Sequence, residues 1–313
     1  MKQFAIVRYT PDMRQRWNEF VDASRNGTFL FHREYMEYHA DRFEDYSLCF
    51  IYDGKMIAVL PAHKEDDIFC THRGLTYGGL VLSSEATAVR VLEIVDLLLA
   101  FLRKNGFSRL LYKCVPYHLH NYPADEARYA LFRNGATLMA CNVATVVDMT
   151  CPLRWSELRH RGVRKAQTAG VEVVEEQDFS LFWPVLEQNL QERFGAKPVH
   201  TLEEIARLKA LFPEQIRLYV ARAAGEVVAG TVVYECGRCV RVQYISASGR
   251  GKSLAALDLL FHYLLTQRYT TYRYFDFGTS NEDDGWVLNE GLIAQKEGFG
   301  GRAVVYETYQ LTL

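Results

Sequence analysis

The second half of the chain alternates apolar and polar residues with the period of a β-strand and then changes to the period of a helix. Alternation predicts three antiparallel strands joined by tight turns, and the apolar run "YRYFDFG" predicts a buried strand that ends at Asp276 to Gly278. The predicted elements are, in order, helices over 182–194 and 202–212, strands over 216–222, 227–234 and 239–246, a helix over 254–268, the buried strand, a helix over 289–297 and a strand over 303–311.

The first half repeats this order of elements. It is predicted to contain helices over 17–24 and 33–42, strands over 46–52, 56–63 and 68–71, a loop "RGLTYGGL", a helix over 86–105, a strand over 109–115, a helix over 126–133 and a strand over 139–148. A long-period match of this kind predicts two copies of one fold and not a solenoid. The boundary is expected near Cys151-Pro152, which gives domains of residues 1–150 and 151–313, the second beginning with the helical stretch "WSELRHRGVRKAQTAGV".

The amino-acid composition limits which binding partners and which cellular compartment are expected for the protein. The 313 residues suit two domains of ordinary size. The 36 basic and 38 acidic residues nearly balance, so DNA is not an expected partner. No apolar run approaches the roughly 20 residues that span a bilayer, which predicts a cytoplasmic protein without membrane insertion. Seven scattered cysteines fit a reducing compartment, and the lone Cys236-x-x-Cys239 pair predicts a hairpin turn and no metal site.

The stretch "YISASGRGKSLAALDLL", residues 244–260, partly matches two phosphate-binding motifs. Gly251, Lys252 and Ser253 end the nucleotide motif Gly-x-x-x-x-Gly-Lys-Ser/Thr, and Gly249 and Gly251 fit the acyl-CoA motif Gln/Arg-x-x-Gly-x-Gly/Ala, but Ser246 breaks both. Because three antiparallel strands precede the loop, an acyl-donor site is favoured over an ATP site. A glycine-rich turn without a ligand remains an alternative. The candidate donor-binding residues are Tyr244, Ile245, Ser246, Ser248, Gly249, Gly251, Lys252 and Ser253.

The order of helices, antiparallel meander, loop, helix and strand resembles the GNAT N-acyltransferase fold, and the doubling resembles the Fem family of peptidoglycan aminoacyl transferases. Two stretches carry this resemblance, "FDFGTSNEDDGWVLNEGLIAQKEGFGGRAVVYETYQL" over 275–311 and "RHRGVRKAQTAGVEV" over 159–173. The resemblance implies an α/β protein of two tandem GNAT-like domains, each a mixed, mostly antiparallel sheet flanked by helices. It also implies a bacterial enzyme that moves an acyl or aminoacyl group from acyl-CoA, or from aminoacyl-tRNA, to an amine or hydroxyl of a cell-envelope polysaccharide or peptidoglycan precursor.

Catalytic candidates also follow from the resemblance. Lys296 matches the lysine of the family's Lys-x-Gly-Phe-Gly motif and is expected to bind acceptor phosphate or to stabilise developing oxyanion charge; a solvated lysine at a helix end is the alternative. Asp276, at the end of the buried strand, is the candidate base, with a turn-capping carboxylate as the alternative. Gln295 stands where the family has an aromatic residue, so acceptor recognition is expected to differ.

Candidate acceptor-binding residues are scattered along the chain. The basic cluster over 159–165 suits a nucleotide-sugar pyrophosphate or a lipid-linked phosphate, although an exposed helix face is the favoured interpretation. The loop "RGLTYGGL" has no Lys or Ser after its glycines, so the first domain is expected to be degenerate and to face the acceptor. His200 precedes a helix, where a capping turn is favoured. The predicted substrate-binding residues are Tyr77, Arg161, Lys165, His200 and Gln295.

Three functions remain open from the sequence. The favoured one is an acyltransferase in which the acceptor attacks the bound donor directly. A non-catalytic module that keeps only a cleft for an envelope precursor is the main alternative, because Ser246 replaces the Gln or Arg of the donor motif. A P-loop-like ATPase is the weaker alternative. The near-neutral charge favours acyl-CoA over tRNA as donor, and the sequence does not indicate the oligomeric state.

Overall fold

The computed structural model describes residues 4–313 of the protein. They form two compact units. The N-terminal unit comprises residues 4–143, 281–287 and 305–313, and the C-terminal unit comprises residues 144–280 and 288–304. An apolar core lies within each of these units. The domain boundary expected after residue 150 stays a prediction.

Helices and strands follow one another closely along the chain. In the first half they are β1 Phe4–Arg8, α1 Arg14–Asp22, α2 Arg33–Met36, β2 Glu44–Asp45, β3 Leu48–Tyr52, β4 Lys55–Leu60, β5 His63–Glu65, β6 Ile68–Cys70, β7 Val81–Leu82, α3 Ala88–Lys104, β8 Arg109–Lys113, α4 Glu126–Arg133 and β9 Thr137–Asp148. In the second half they are α5 Glu157–Thr168, β10 Glu172–Glu176, α6 Trp183–Phe194, α7 Leu202–Leu211, β11 Ile216–Ala223, β12 Glu226–Cys236, β13 Cys239–Ala247, α8 Gly249–Leu254, α9 Ala256–Tyr263, a π-helix Leu264–Arg268, β14 Tyr274–Thr279, β15 Asn281–Glu282, β16 Val287–Leu288, α10 Glu290–Glu297 and β17 Arg302–Thr312.

Most strands described in the N-terminal unit lie in two sheets. One has the strand order β1-β3-β4-β7, and its β3–β4 hairpin turns at Asp53 and Gly54, which both have positive φ. In the other sheet β2, β5, β6 and β8 are neighbours, and β8 also pairs with the end of β17. The apolar residues of helix α3 recur at helical spacing and therefore form one face. That face is buried in the core of the N-terminal unit. These residues are Val91, Ile94, Val95, Leu98, Leu99 and Leu102.

The C-terminal unit is built on one mixed sheet. Strands β10, β11, β12 and β13 pair antiparallel, β14 joins β13 in parallel, and the last residues of β9 pair antiparallel with β14. The β11–β12 hairpin turns at Ala224 and Gly225, which again both have positive φ. Helix α9 packs on the sheet and α5 packs on α9. The two helices approach closely, since a Cβ on Gly162 would lie 2.6 Å from Cγ of Asp258.

The predicted architecture, a mixed and mostly antiparallel sheet with flanking helices, is confirmed. The single helix predicted over 254–268 is wrong in detail, because α8 starts at Gly249, Ala255 takes a left-handed conformation with φ of 55°, and the last turn is a π-helix. The strand predicted over 56–63 is divided into β4 and β5. Within residues 4–313, no helix is long and apolar enough to cross a membrane.

The Cys236-x-x-Cys239 pair forms the predicted hairpin turn. The two residues face each other at the end of the β12–β13 ladder, and Gly237 between them has φ of 58°. Both side chains are buried. Burial raises the pKa of the Cys239 thiol, whereas a reactive cysteine needs a lowered pKa. The pair is therefore part of the core.

The close contact at Gly251 leads to a testable prediction. A Cβ at this position would lie 2.1 Å from the carbonyl oxygen of Val228, a backbone atom that cannot turn aside. We expect Gly251→Ala to lower the free energy of unfolding by about 1–3 kcal/mol through overpacking. Gly249→Ala is the matched control, because a Cβ at Gly249 meets no atom within 4 Å and alanine favours a helix. Urea unfolding measures both variants, and equal stabilities would contradict this packing.

Candidate functional site

Strands β13 and β14 separate in the middle of the C-terminal sheet. Their parallel ladder joins residues 239–241 to residues 274–276 and ends with the pair Arg241 and Asp276. Beyond that pair β13 continues to Ala247 and β14 to Thr279. Both strands are irregular there, since β13 bulges against β12 and β14 loses its register with β9. We call the pair Arg241 and Asp276, with the two strand segments that follow it, the fork.

Buried opposite charges lie at the fork. The carboxylate of Asp276 is 0% exposed and lies 3.9 Å from Nε of Arg241. Its Oδ1 accepts a hydrogen bond of 2.7 Å from the backbone nitrogen of Gly278. Gly278 has φ of 76°, a conformation that glycine adopts without strain. Asp276 therefore stabilises the kink at which β14 leaves β13.

Lys296 reaches the same kink from α10. Its Nζ donates hydrogen bonds to the carbonyl oxygens of Gly278 and Thr279, at 2.9 and 2.7 Å, and to Oγ of Ser280 at 2.9 Å. These contacts use all three ammonium donors. The side chain is 5% exposed, and burial lowers the pKa of Lys296 to about 8, although the nearby Asp276 carboxylate opposes that effect. At neutral pH the ammonium form predominates.

This geometry bears on the two catalytic candidates. The contact of Lys296 with a substrate oxyanion and the role of Asp276 as base both stay predictions. Lys296 uses its donors on the turn after β14, and Asp276 is enclosed beneath that turn. Such an arrangement favours positioning roles for both residues. They hold the end of β14 in place next to the segment of β13 that follows Arg241.

A cavity of about 690 Å³ opens next to that segment of β13. Its walls come from α6, β13, α8, α9 and α10, and all of them belong to the C-terminal unit. Four residues predicted from the sequence line it, namely Ile245, Ser246, Lys252 and Gln295. The cavity is large enough for the reacting end of a small-molecule ligand. We call it the donor cavity, after the donor-binding residues predicted from the sequence that line it.

Residues 248–253, predicted as a loop, form the cap and the turns of α8, which hydrogen bonds hold in place. Ser248 caps the helix, since its Oγ accepts a hydrogen bond of 3.1 Å from the nitrogen of Gly251. Lys252 lines the donor cavity, and its Nζ donates to Oδ1 of Asn189 on α6 at 2.6 Å. Gly249 and Ser253 are exposed. Helix α8 thus presents one ammonium group to the cavity.

Ser246 and Tyr244 connect β13 to neighbouring segments. Oγ of Ser246, which is 3% exposed, donates to the carbonyl oxygen of Val185 on α6 at 3.0 Å. The hydroxyl of Tyr244 lies 3.1 Å from the backbone nitrogen and 2.5 Å from Nδ1 of His200, and burial raises the pKa of Tyr244 to about 12. The expected capping position of His200 is corrected by one residue, because Thr201 caps α7. The donor- and substrate-binding roles of these residues stay predictions.

The other candidate substrate-binding residues have different environments. Arg161 and Lys165 are exposed on α5, whereas Arg159 of the same helix pairs with Asp258 at 2.7 Å. Among the described residues that line the donor cavity, neither Arg161 nor Lys165 is present. Tyr77 belongs to the N-terminal unit and is 1% exposed, as a core residue is. Their roles in binding a substrate stay predictions.

Sequence reasoning missed three residues of this site, Arg241, Asn189 and Ser280. Arg241 carried a usable signal, because a charged residue inside a central strand is rarely buried without a partner. Asn189 and Ser280 carried none. Asn189 meets a side chain 63 residues away, and Ser280 meets one 16 residues away. Only the folded chain brings such residues together.

The burial of Lys296 leads to a prediction about pH. Folded Lys296 loses its proton near pH 8, whereas an unfolded lysine keeps its proton until about pH 10.4. Between these values the unfolded chain binds more protons, so stability rises with pH. We expect the free energy of unfolding of the wild type, minus that of Lys296→Met, to grow by on the order of 2–3 kcal/mol between about pH 7 and pH 10. Urea unfolding measures this difference, in which the titration of other groups cancels.

A difference that stays constant or falls over this range would contradict the buried ammonium. A rise that occurs entirely below about pH 7 would contradict it as well, because a lysine with the stated pKa is already charged there in both states.

Comparison with known proteins agrees with this architecture. Residues 158–284 match the family model of the acetyltransferase (GNAT) domain. No curated protein sequence matches the chain significantly. Among solved structures, FemX is 12% identical with a TM-score of 0.68, covering 99% of this chain and 97% of its own. L-PGS from Bacillus licheniformis is 12% identical with a TM-score of 0.61, covering 94% and 90%.

A tandem GNAT protein from the clavulanic acid biosynthesis pathway, solved without acetyl-CoA, is 12% identical with a TM-score of 0.55, covering 99% of this chain and 98% of its own. At such identities these are likenesses of fold. The two-copy architecture expected from the sequence is confirmed by the fold likeness to this tandem GNAT protein. The chain therefore has a tandem GNAT fold, and its residues 158–284 match the GNAT acetyltransferase domain.

Proposed function

We propose that the C-terminal unit binds an acyl thioester in the donor cavity and transfers the acyl group to an amine or hydroxyl of a cell-envelope polysaccharide or peptidoglycan precursor. One observation carries this proposal. The β13–β14 ladder stops at Arg241 and Asp276, and the donor cavity adjoins the segment of β13 beyond it. Backbone groups of a strand edge suit the amide arm of coenzyme A, which hydrogen-bonds like an added strand.

Acyl-CoA fits the chemistry of the cavity walls. Lys252 places a positive charge at the α8 end, where it would meet the anionic part of the donor. Leu257 and Leu292 supply apolar surface for the arm and the acyl group. Aminoacyl-tRNA is the alternative donor, and the exposed Arg161 and Lys165 support that alternative.

The proposed reaction is a direct transfer. The nitrogen or oxygen of the acceptor attacks the carbonyl carbon of the thioester, a carbon–nitrogen or carbon–oxygen bond forms and the carbon–sulfur bond breaks. The sulfur leaves with coenzyme A, and the proton of the acceptor ends on that thiolate or in solvent. Backbone donors at the edge of β13 would polarise the carbonyl, because a fixed donor stabilises the charge that develops on oxygen.

Lys296 and Asp276 serve in this proposal as positioning residues. They hold the end of β14 and the turn to Ser280 through the hydrogen bonds described above. Gln295, next to Lys296 on α10, lines the donor cavity and is the nearest candidate for contact with the acceptor. The envelope precursor as acceptor rests on the resemblance of the sequence to Fem transferases and on the fold likeness to FemX.

Donor binding can be tested by blocking the cavity. Gly291 lines it, and a Cβ there would meet only Oδ1 of Asn289, at 3.8 Å, so Gly291→Trp fills the cavity without a backbone clash. Acetyl-CoA at about 100 times its Kd is expected to raise the Tm of the wild type by roughly 5 °C. The variant is expected to lose this shift. Glu290→Trp, one residue earlier and exposed, places the same side chain outside the cavity and should keep it.

The other outcomes distinguish the alternatives. A rise in Tm with aminoacyl-tRNA, but not with acetyl-CoA or coenzyme A, would identify aminoacyl-tRNA as the donor in place of acyl-CoA. No rise in Tm with any of the three ligands would overturn the proposal. Release of free coenzyme A in the presence of amino-sugar nucleotides or precursor peptides reports turnover, whereas binding without release points to a non-catalytic module. ATP hydrolysis that is lost in Lys252→Ala would favour the ATPase alternative.

A further inference from the structure

Three metal-binding side chains converge on the β5–β6 hairpin of the N-terminal unit. His63 and Glu65 are two residues apart on β5, so they point to the same face of the strand. Cys70 on β6 is paired directly with His63 in the antiparallel register. One donor atom from each of the three residues lies within 4.8 Å of the other two. The short hairpin alone therefore brings an imidazole, a carboxylate and a thiol together.

The separations approach those of a tetrahedral zinc site. Oε2 of Glu65 lies 4.0 Å from Nε2 of His63 and 3.9 Å from Sγ of Cys70. Zinc bonds of about 2.0–2.3 Å to nitrogen, oxygen and sulfur place neighbouring ligand atoms roughly 3.3–3.7 Å apart. Small rotations of the side chains would bring the ligand atoms from the observed separations to those of a zinc site. Glu65 is the side chain best able to move, because it is 43% exposed.

The exposure of the three side chains differs, so the candidate metal site is open to solvent on one side only. His63 and Cys70 are 2% and 1% exposed, whereas Glu65 faces solvent. An ion could enter past the carboxylate and meet the imidazole and the thiol beneath it. Buried nitrogen and sulfur ligands below a mobile carboxylate suit a borderline metal ion better than magnesium or calcium, which prefer oxygen.

A second observation comes from His72. Its ring centroid lies 5.3 Å from that of His63, the residue is 3% exposed, and its Nδ1 has no hydrogen-bond partner among the described residues. A buried polar atom without a hydrogen-bond partner is rare, and it indicates that an ion or a water molecule binds nearby. A metal ion with a bound water beside His63 would supply such a partner.

Positive groups border the same place. Arg73 pairs with Glu65, at 3.0 Å to Oε2, and its backbone nitrogen lies 3.4 Å from Nδ1 of His63, so Nε2 is the ring atom that faces the carboxylate. Lys113 donates to the carbonyl oxygens of Arg73 and Leu75. A divalent ion would have to displace the Arg73 ion pair, and the charges of Glu65 and a Cys70 thiolate would then neutralise the ion.

We propose that His63, Glu65 and Cys70 bind one zinc ion, with water at the fourth tetrahedral position. On binding, the thiol of Cys70 gives its proton to solvent and the thiolate bonds to the metal. The ring proton of His63 moves from Nε2 to Nδ1 by exchange with solvent, so that Nε2 can bind the metal, and the hydrogen bond from the backbone nitrogen of Arg73 to Nδ1 is lost. This site is independent of the donor cavity and of the proposed transferase function. It departs from the expectation of no metal that followed from the cysteine spacing.

The experiment uses the whole 313-residue chain after removal of metals with a chelator. Zinc is titrated in competition with a chromophoric chelator, and cobalt(II) is added separately as a spectroscopic probe. We expect one zinc ion per chain and a sulfur-to-cobalt charge-transfer band. Glu65→Gln and Cys70→Ser should each lower zinc affinity by more than about 100-fold, because loss of an outer partner alone costs about 10–100-fold.

Two controls match these variants. Cys49→Ser removes another buried thiol of the same unit, and Glu85→Gln removes another exposed carboxylate that pairs with a cation, Lys55. Both should bind zinc as the wild type does. If Cys70→Ser does not fold, the exposed Glu65→Gln and the wild-type cobalt spectrum carry the test. Absence of the sulfur band, or equal zinc affinity in Glu65→Gln and Glu85→Gln, would overturn the proposal.

Discussion

The C-terminal unit depends on the buried charges at the fork. Asp276, Lys296 and Arg241 are 0%, 5% and 8% exposed, and removing each such ion from water costs several kcal/mol. Opposite charges and well-formed hydrogen bonds offset that cost only in one arrangement. We infer that the cluster specifies geometry more than it adds stability, since it selects the kink at Gly278 over a strand that would continue alongside β13.

Helix α10 connects this charge cluster to the donor cavity. Lys296 projects to the turn after β14, while Gln295 and Leu292 of the same helix line the cavity. The wall made by α6, β13 and α8 is held by two other hydrogen bonds. One runs from Ser246 to Val185, and the other runs from Lys252 to Asn189. Both walls are therefore held by polar contacts between elements of the C-terminal unit.

Local signals in the sequence predicted most of the fold. Helix α4 has the bounds expected from its pattern, and the Asp53-Gly54 and Ala224-Gly225 turns lie where predicted, because left-handed residues mark such turns. Predictions failed where tertiary contacts override local preference. Ala255 interrupts the long helix expected after the loop, and the five-residue strands β1 and β10 pair with segments far away in the chain.

The candidate site divides in the same way. The sequence by itself determined that a strand leads into a helix within residues 244–260, because local period can be read along the chain, and its resemblance to the Fem family marked Lys296 and Asp276. Only the tertiary structure decided that the ladder between β13 and β14 stops at Arg241 and that Lys296 is buried against the turn after β14. It also decided that His63, Glu65 and Cys70 lie on one face of a hairpin. The physical reason is that strand register, burial and ion pairing depend on contacts between residues distant in sequence, which no local pattern records.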